Sequence, residues 1–316
     1  MRFNKIKARV RSLAEVAAWP LMGELIDKIG HRESLSVWEY PVAACEAVGG
    51  SAEAALPGAA AVFCSVISIH LVDDILDEDP AGEHHRLGVG RTANLGLAFQ
   101  AAGHRLLDDP ALSTATRAAL QASFAAMSLA TAFGQDLDAR DLCGEEEYWR
   151  VVDAKTPPLF AAAFEMGALL GGATGEVASQ LADLGRALGR YVQVSDDLSD
   201  ALQTPAKADW NRPANNLPIL YAMTVDHADR DQFLLLSKRV DDAESLNGAQ
   251  KILLRSGAAS YCTLKLIQFA QEAAEILARI PLSDPQPLAR ILAEHKRPLR
   301  KLLASVGLDE PAALVS

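Results

Sequence analysis

The sequence is poor in aromatic residues and in the patterns that mark β-strands. Phenylalanine, tryptophan and tyrosine make up 6% of its 316 residues, whereas half of the residues are apolar. Alternating runs of β-branched residues are few, and alanine and leucine, which favour helices, dominate. The composition therefore predicts an all-α protein that is long enough to bury a sizeable core.

Excess positive charge and paired cysteines are also missing. The chain has 41 acidic against 30 basic residues, so we do not expect the basic surface that nucleic acid requires. The four cysteines form no Cys-x-x-Cys pair. We therefore expect neither a disulfide framework nor a zinc site, and a cytoplasmic location is the simplest interpretation.

Long uninterrupted apolar segments are scarce as well. The basic N-terminus is not followed by the sustained apolar core of a signal peptide. The most apolar run, residues 56–72, contains Pro57, Gly58 and His70 and ends at two aspartates. A run of about 17 residues lies at the lower limit for crossing a bilayer. We interpret it as a buried core helix and expect no stable membrane insertion.

What the sequence does contain is a series of helical stretches separated by short breaks rich in proline and glycine. No repeat or linker marks a domain boundary, so we expect one all-α domain over residues 1–316. Ser113 is predicted to cap a helix, and Gly134 to lie near the end of that helix. The predicted helices span residues 4–28, 35–48, 52–78, 90–107, 113–135, 145–171, 175–202, 214–225, 228–238, 244–254, 258–278 and 284–305.

Three aspartates follow the most apolar run. Asp73 and Asp77 are four residues apart and Asp74 and Asp77 three apart, so on a helix all three project from one side. Their repulsion costs stability unless a cation neutralises them, and the C-terminal end of a helix already favours cations. A single cluster of this kind could also be a solvated helix end.

A second cluster makes the solvated alternative weaker. Asp196, Asp197 and Asp200 repeat the spacing at the end of another predicted helix, with Gln193 before them on the same face. Mg²⁺ prefers carboxylate oxygens and usually joins one or two of them to substrate phosphates. The six aspartates are therefore predicted to hold Mg²⁺ and to clamp a diphosphate from two sides.

Over roughly residues 30–225 the chain resembles the trans-isoprenyl diphosphate synthases, the polyprenyl synthetase family. The two aspartate clusters look like the two aspartate-rich motifs of that family, in the expected order. Three shorter segments also match family motifs, namely Gly134-Gln135-Asp136-Leu137-Asp138, Lys155-Thr156 and Asp209 ahead of Leu217-Pro218.

The resemblance implies an isoprenoid-synthase-type bundle of helices around a central apolar cavity, with about three Mg²⁺ ions at its mouth. It implies that the protein is a homodimer that ionises an allylic isoprenyl diphosphate and condenses it with isopentenyl diphosphate to a product of about C15 to C20 or longer. The catalytic residues would be Asp73, Asp74, Asp77, Lys155 and Asp196. Gln135, Lys155, Thr156 and Gln193 would contact substrate.

The segments that correspond to the isopentenyl diphosphate site depart from the family. Residues 30–35 keep only Arg32 of its basic segment, and Val66 stands where the family has a histidine. The family's arginine pair after the first cluster is missing, and Arg86 is the candidate to replace it. A diphosphate needs several convergent donors, so these losses predict weaker binding of the second substrate.

One lysine of the family is also replaced, by Ala214, and Lys207 and Arg212 are nearby candidates to compensate. Three functions therefore stay open: chain elongation with a divergent acceptor site, prenyl transfer to another acceptor or cyclisation, and a non-catalytic partner subunit. Ser68 and Ile69, which precede Asp73, are not aromatic, and this favours a deep cavity and a product of about C20 or longer.

Overall fold

The computed structural model describes residues 2–29, 36–140, 142 and 144–305. Over these residues the protein is all-α, as predicted, and four short 3₁₀ segments (Val37–Glu39, Ala208–Asn211, Pro213–Asn215 and Ser237–Arg239) connect the α-helices. The α-helices are α1 (Arg2–Arg11), α2 (Ala14–Ala17), α3 (Pro20–Ile29), α4 (Tyr40–Ala47), α5 (Leu56–Leu76), α6 (Glu83–Leu87), α7 (Val89–Leu107), α8 (Thr114–Asp138), α9 (Glu145–Lys155), α10 (Pro157–Leu170), α11 (Gly175–Ala201), α12 (Leu217–Thr224), α13 (Arg230–Leu236), α14 (Ala243–Arg255), α15 (Ala258–Arg279) and α16 (Gln286–Ser305).

Most of the predicted helices are confirmed to within a few residues, and two predicted helices are divided. The predicted helix 4–28 is three helices, the last of which begins at Pro20. The predicted helix 145–171 ends at Lys155 and resumes at Pro157. Proline disfavours helical geometry in the residue before it, which explains the break before Pro20. At the second site Thr156 keeps helical geometry, and the break arises because Pro157 and Pro158 have no backbone N–H to donate to α9. The second break leaves Lys155 at the end of α9.

The apolar run lies in α5, at the centre of the bundle. Side chains from Pro57 to Ser68 are all buried, and α5 packs chiefly against α7. Among the described residues, α5 is the one helix that is long and apolar enough to cross a membrane. Its burial agrees with the prediction of a core helix. Phe63, with Phe3 and Trp38 within 5.4 and 5.0 Å between ring centroids, packs against the N-terminal part of the chain.

Two glycines allow close packing of the helices that carry the remaining motifs. A Cβ on Gly134 would lie 2.5 Å from the Lys155 backbone nitrogen, so only glycine lets α8 approach the end of α9 this closely. The prediction that Gly134 lies near the end of its helix is confirmed, since α8 ends soon afterwards at Asp138. A Cβ on Gly189 would lie 2.6 Å from Pro157 Cα and would separate α11 from the start of α10.

Candidate active site

The ends of α5, α8, α9 and α11 surround a cavity of about 380 Å³. A segment between α11 and α12 forms the remaining wall. The cavity lining is mainly polar and charged, so the apolar cavity deeper in the bundle stays a prediction. The lining residues are Leu76, Asp77, Glu78, Asp138, Lys155, Gln193, Asp197, Ala208, Asp209, Asn211, Arg212 and Asn215.

The first aspartate cluster lies at the end of α5, where Asp77 is the residue that caps the helix. Gln135 of α8 donates a hydrogen bond from Nε2 to Asp73 Oδ1, and Lys155 Nζ lies 3.5 Å from the same oxygen. Burial and the neighbouring Asp73 raise the pKa of Asp77, although nearby cations oppose the shift. The cluster thus includes residues from α5, α8 and α9.

Lys155 is the cation at the centre of this group. Its Nζ lies 2.5 Å from Asp138 Oδ2, and Asn215 donates to the other oxygen of that carboxylate at 3.0 Å. Burial lowers the pKa of Lys155, but the carboxylates of Asp73 and Asp138 more than offset this effect and raise the pKa above its ordinary range. Lys155 therefore carries a fixed positive charge on the cavity wall.

A second cation, Arg212, reaches the first cluster from the segment between α11 and α12. Its Nη1 donates to Asp77 Oδ1 at 3.0 Å, and its Nη2 donates to the Leu76 carbonyl oxygen at 3.0 Å. Arg212 and Asp77 are 135 residues apart in the chain. From the sequence, Arg212 was predicted only as a candidate to compensate for the family lysine that Ala214 replaces.

The second aspartate cluster is built differently, because Asp197 is almost completely buried. Its Oδ2 accepts hydrogen bonds from the Tyr148 hydroxyl at 2.7 Å and from the Leu217 backbone N–H at 2.9 Å. Its Oδ1 accepts from Gln193 Nε2 at 2.8 Å. Burial raises the pKa of Asp197 to about 7, although these hydrogen bonds oppose the shift. Asp197 thus connects α9, α11 and the start of α12.

Thr156 and Gln193, both predicted to contact substrate, belong to the same network. The Thr156 hydroxyl donates to Gln193 Oε1, and this contact joins the break between α9 and α10 to α11. The close approach at Gly189 brings the two residues within reach of each other. Of this pair, Gln193 lines the cavity.

Asp196 and Asp200 face the side of the cluster that is open to solvent. Asp196 is exposed to solvent and is not among the residues that line the cavity. Partial burial of its carboxyl by the surrounding protein, together with Asp200 and Asp209, raises its pKa to about 6. Burial also raises the pKa of Asp200, with Asp209 acting in the same direction. The exposed Lys207 acts on Asp200 only as a nearby charge that opposes this shift.

Arg86 and Lys207, two of the residues predicted for the second substrate, are not among the residues that line this cavity. Arg86 donates to Glu83 at 2.7 Å and pairs with Glu24 at 2.8 Å, on the side of the bundle where α3 meets α6. Lys28 pairs with the same Glu83, whose side chain is 6% exposed. Arg32 lies outside the described residues. Arg86 is therefore held by carboxylates rather than presented alone.

The donors at the cavity suit Mg²⁺ in chemistry, although they are not a complete cage. Within the described residues, no three histidine, cysteine or acidic side chains already converge on one point. Mg²⁺ usually takes one or two carboxylates and fills its other positions with water and substrate phosphates. The carboxylates of the two helix ends, with their raised pKa values at Asp77 and Asp196, fit such an incomplete site.

Tyr148 and Asn216 belong to the site but were not predicted from the sequence. Tyr148 lies seven residues before Lys155. Asn216 caps α12 and donates to the Asp197 carbonyl and to Asp209 Oδ2. An asparagine immediately before Leu217-Pro218 is a recognisable helix-start signal, so this residue could have been found. No sequence signal indicates the partner of Tyr148.

Comparisons with known proteins agree with this architecture. The chain is 27% identical over 247 residues to a geranylgeranyl diphosphate synthase from Methanosarcina mazei, covering 75% of this chain and 76% of that protein. It is 27% identical over 283 residues to a (2E,6E)-farnesyl diphosphate synthase from Mycobacterium tuberculosis, covering 80% and 77%. A polyprenyl synthase from Caulobacter crescentus, solved with calcium and isoprenyl diphosphate, shares the fold with a TM-score of 0.78 at 23% identity, covering 92% of both chains.

The family model described as polyprenyl synthetase matches residues 41–253, which is more than half of the chain. The chain therefore belongs to the polyprenyl synthetase family.

Proposed function

We propose that this protein is a Mg²⁺-dependent prenyltransferase that ionises an allylic isoprenyl diphosphate and condenses it with isopentenyl diphosphate. The observation that carries the proposal is the cavity where Asp77 and Lys155 meet Gln193 and Asp197 from the opposite helix end. Carboxylates beside a fixed cation suit a diphosphate that brings divalent ions with it. The names of the relatives, which are prenyl diphosphate synthases, support the same reaction.

The reaction first forms an allylic cation and then captures it. The allylic C–O bond breaks, and its electron pair leaves with the diphosphate. The allylic cation then adds to the double bond of isopentenyl diphosphate, and transfer of a proton from the new cation to the released diphosphate restores a double bond. When bound, Mg²⁺ would supply Lewis-acid stabilisation of the leaving diphosphate.

Within this scheme the chain supplies charge and position. Lys155 lies at the cavity wall, where its ammonium group can stabilise the negative charge that develops on the departing diphosphate. Gln135 orients Asp73, and Thr156 orients Gln193 through their hydrogen bonds. We propose that Gln193 and Thr156 also border the first carbons of the substrate. These fixed groups stabilise developing charge without rearranging.

The six aspartates divide into two roles in this proposal. Asp73, Asp74, Asp77, Asp196 and Asp200 are proposed to carry the metal-binding oxygens. Asp197 has three hydrogen-bond donors on its carboxylate and is 3% exposed, so we assign it to holding the site together. The ion count of about three stays a prediction from the family.

A second candidate is prenyl transfer to an acceptor that has no diphosphate. The observation that favours it is the engagement of Arg86 by Glu83 and Glu24, which leaves this arginine poorly placed for an added anion. If the acceptor is isopentenyl diphosphate, as in the first candidate, we assign its diphosphate to Lys207, which is exposed near Asp200. The two functions differ only in what captures the cation.

Product analysis tests both functions. The protein is incubated with Mg²⁺ and geranyl or farnesyl diphosphate, with and without isopentenyl diphosphate, and the products are identified by mass spectrometry. Longer prenyl diphosphates that require isopentenyl diphosphate are expected. Hydrocarbons or prenyl alcohols formed without it would show ionisation without elongation and would favour the second candidate, and inertness in both mixtures would contradict the proposed condensation.

We further propose a single-domain, cytoplasmic homodimer whose contact is the outer face of α7 and α8. Leu97 on α7, with Leu129 and Phe133 one turn apart on α8, is large, apolar and more than half exposed. Burial of such side chains against a second copy is favourable. A Leu129→Asp, Phe133→Asp double variant is expected to sediment as a monomer, whereas Leu235→Asp on α13 should not change the mass.

A further inference from the structure

We propose that Arg212 is a diphosphate-binding residue that Asp77 holds in place until the metal–diphosphate complex arrives. On binding, the Asp77 carboxylate turns to the metal and the Arg212 guanidinium turns to a diphosphate oxygen. This inference rests on the proposed function, because it concerns the same cavity. Arg212 would then be a second cation at the diphosphate site, besides Lys155.

The backbone around Arg212 is anchored on both sides. Two residues before it, Trp210 is 4% exposed and packs against Phe233 at 6.1 Å between ring centroids. Three residues after it, Asn215 donates from Nδ2 to both the carbonyl and the carboxylate oxygen of Asp138. The next residue, Asn216, is fully buried and bonds Asp209 and Asp197. Arg212 is thus presented to the cavity by a fixed segment.

The present contacts of Arg212 complete the end of α5. The Leu76 carbonyl would ordinarily accept from the backbone N–H four residues on, but that residue is Pro80, which has none. Arg212 Nη2 donates to this carbonyl, and the helix end favours a cation there. The guanidinium is therefore positioned at the cavity edge, with its side chain 33% exposed.

A metal and Arg212 compete for the same carboxylate. Arg212 donates to Asp77 Oδ1, and Asp77 is one of the proposed metal-binding residues. When Asp77 binds a divalent cation, its charge is shared and its attraction for the guanidinium falls. A diphosphate presents several anionic oxygens in the same cavity, and guanidinium groups bind such oxygens with two parallel hydrogen bonds. We therefore expect Asp77 to exchange Arg212 for the metal and Arg212 to exchange Asp77 for a diphosphate oxygen.

The exchange predicts different effects of an Arg212 substitution on the binding of diphosphate and on the binding of the metal alone. In Arg212→Gln, inorganic diphosphate with Mg²⁺, measured by calorimetry, is expected to bind about 10-fold or more weakly, because hydrogen bonds to charged groups are the strong ones. Mn²⁺ alone, measured by electron paramagnetic resonance, is expected to bind equally well or more tightly, because Asp77 is released. Arg212→Lys should fall between wild type and Arg212→Gln for diphosphate.

Arg140→Gln is the matched control, since Arg140 is a 60% exposed arginine whose partner is Asp136 on the same helix. It should change neither equilibrium. Unchanged diphosphate binding in Arg212→Gln, or weakening of Mn²⁺ and diphosphate together, would overturn the inference. Wild-type protein that binds no diphosphate with Mg²⁺ would instead contradict the proposed function itself.

Discussion

The two aspartate-rich helix ends have the same spacing but opposite surroundings. At the end of α5, Lys155 lies 3.5 Å from Asp73, and Arg212 lies 3.0 Å from Asp77. Positive charge from distant parts of the chain therefore balances the carboxylates. Opposite charges at this distance favour the ionised form of each partner, which limits the effect of burial.

At the end of α11 the corresponding carboxylates meet neutral donors or other carboxylates. Asp197 is held by a tyrosine, a glutamine and a backbone N–H, while Asp196 faces Asp200 and Asp209. One repeated sequence motif thus forms an end that two cations contact directly and an end, which we call the uncompensated end, where the exposed Lys207 acts only as a nearby charge. A substrate that brings divalent cations would gain more at the second end.

The largest expected effect is one that the two ends share. Asp73→Ala and Asp196→Ala should each lower metal-dependent turnover at least about 100-fold, because loss even of residues that only support a metal site costs about 10- to 100-fold. Turnover is measured with Mg²⁺ and an allylic diphosphate. Asp136→Asn serves as the control, because Asp136 is 61% exposed and paired with Arg140. Near-normal activity in either alanine variant would show that only one end binds metal.

Removal of the balancing cation should distinguish the two ends. Lys155→Gln is expected to lower kcat about 10- to 100-fold, because a hydrogen bond to a charged group contributes about 1.5–3 kcal/mol. Lys207→Gln, which changes an exposed cation beside the second end, should change kcat less than about 3-fold, since solvent screens such charges. Steady-state kinetics checks both. Equal losses in the two variants would contradict the assignment of Lys155 as the principal cation.

The helices and the aspartates of both ends could be predicted because they depend on local sequence. Helical periodicity and the Asp-Asp-x-x-Asp spacing were sufficient to place Asp73 and Asp196 at helix ends. The prediction of one helix over residues 145–171 was wrong at Thr156-Pro157, where two prolines without a backbone N–H separate α9 from α10. The serine cap at Ser113 is confirmed by a 3.0 Å hydrogen bond to the Thr116 N–H.

The partners of these aspartates could not be predicted, because they depend on which distant segments pack together. Arg212 reaches Asp77 only because the segment after α11 folds back across the end of α5. Asp74 and Asp197 occupy the same position in their motifs, yet Asp74 is half-buried and Asp197 is buried beneath Tyr148. The position of Gly134 near the end of α8 follows from local sequence, but its close packing against Lys155 does not.

This difference between Asp74 and Asp197 predicts unequal effects on stability. Asp197→Asn leaves one acceptor oxygen for three donors, so it is expected to lower the free energy of unfolding by about 2 kcal/mol, within the range for an unsatisfied buried group. Asp74→Asn should lower it by less than half as much. Urea denaturation with EDTA present measures both. Equal destabilisation would remove the distinction between a positioning aspartate and the other aspartates.

The smallest expected effect is a pH dependence that belongs to the uncompensated end. The pKa of Asp196 is raised from 3.8 to about 6, so the folded protein favours the protonated form. The stability that this preference provides is present below the unfolded pKa and is lost as the pH rises through about 6. Asp196→Asn, which cannot ionise, should therefore match wild type near pH 4 and exceed it above about pH 6.5.

Because Asp196 is exposed at its surface, solvent screening should keep this gain below about 1 kcal/mol. Urea denaturation with EDTA at the two pH values measures it. Asp73→Asn is the comparison at the other end, and it loses the charge attraction between Asp73 and Lys155 and weakens the hydrogen bond from Gln135. It should be less stable than wild type at the higher pH. If Asp196→Asn and Asp73→Asn are both less stable than wild type at the higher pH, then positive charge also balances the carboxylates at the end of α11.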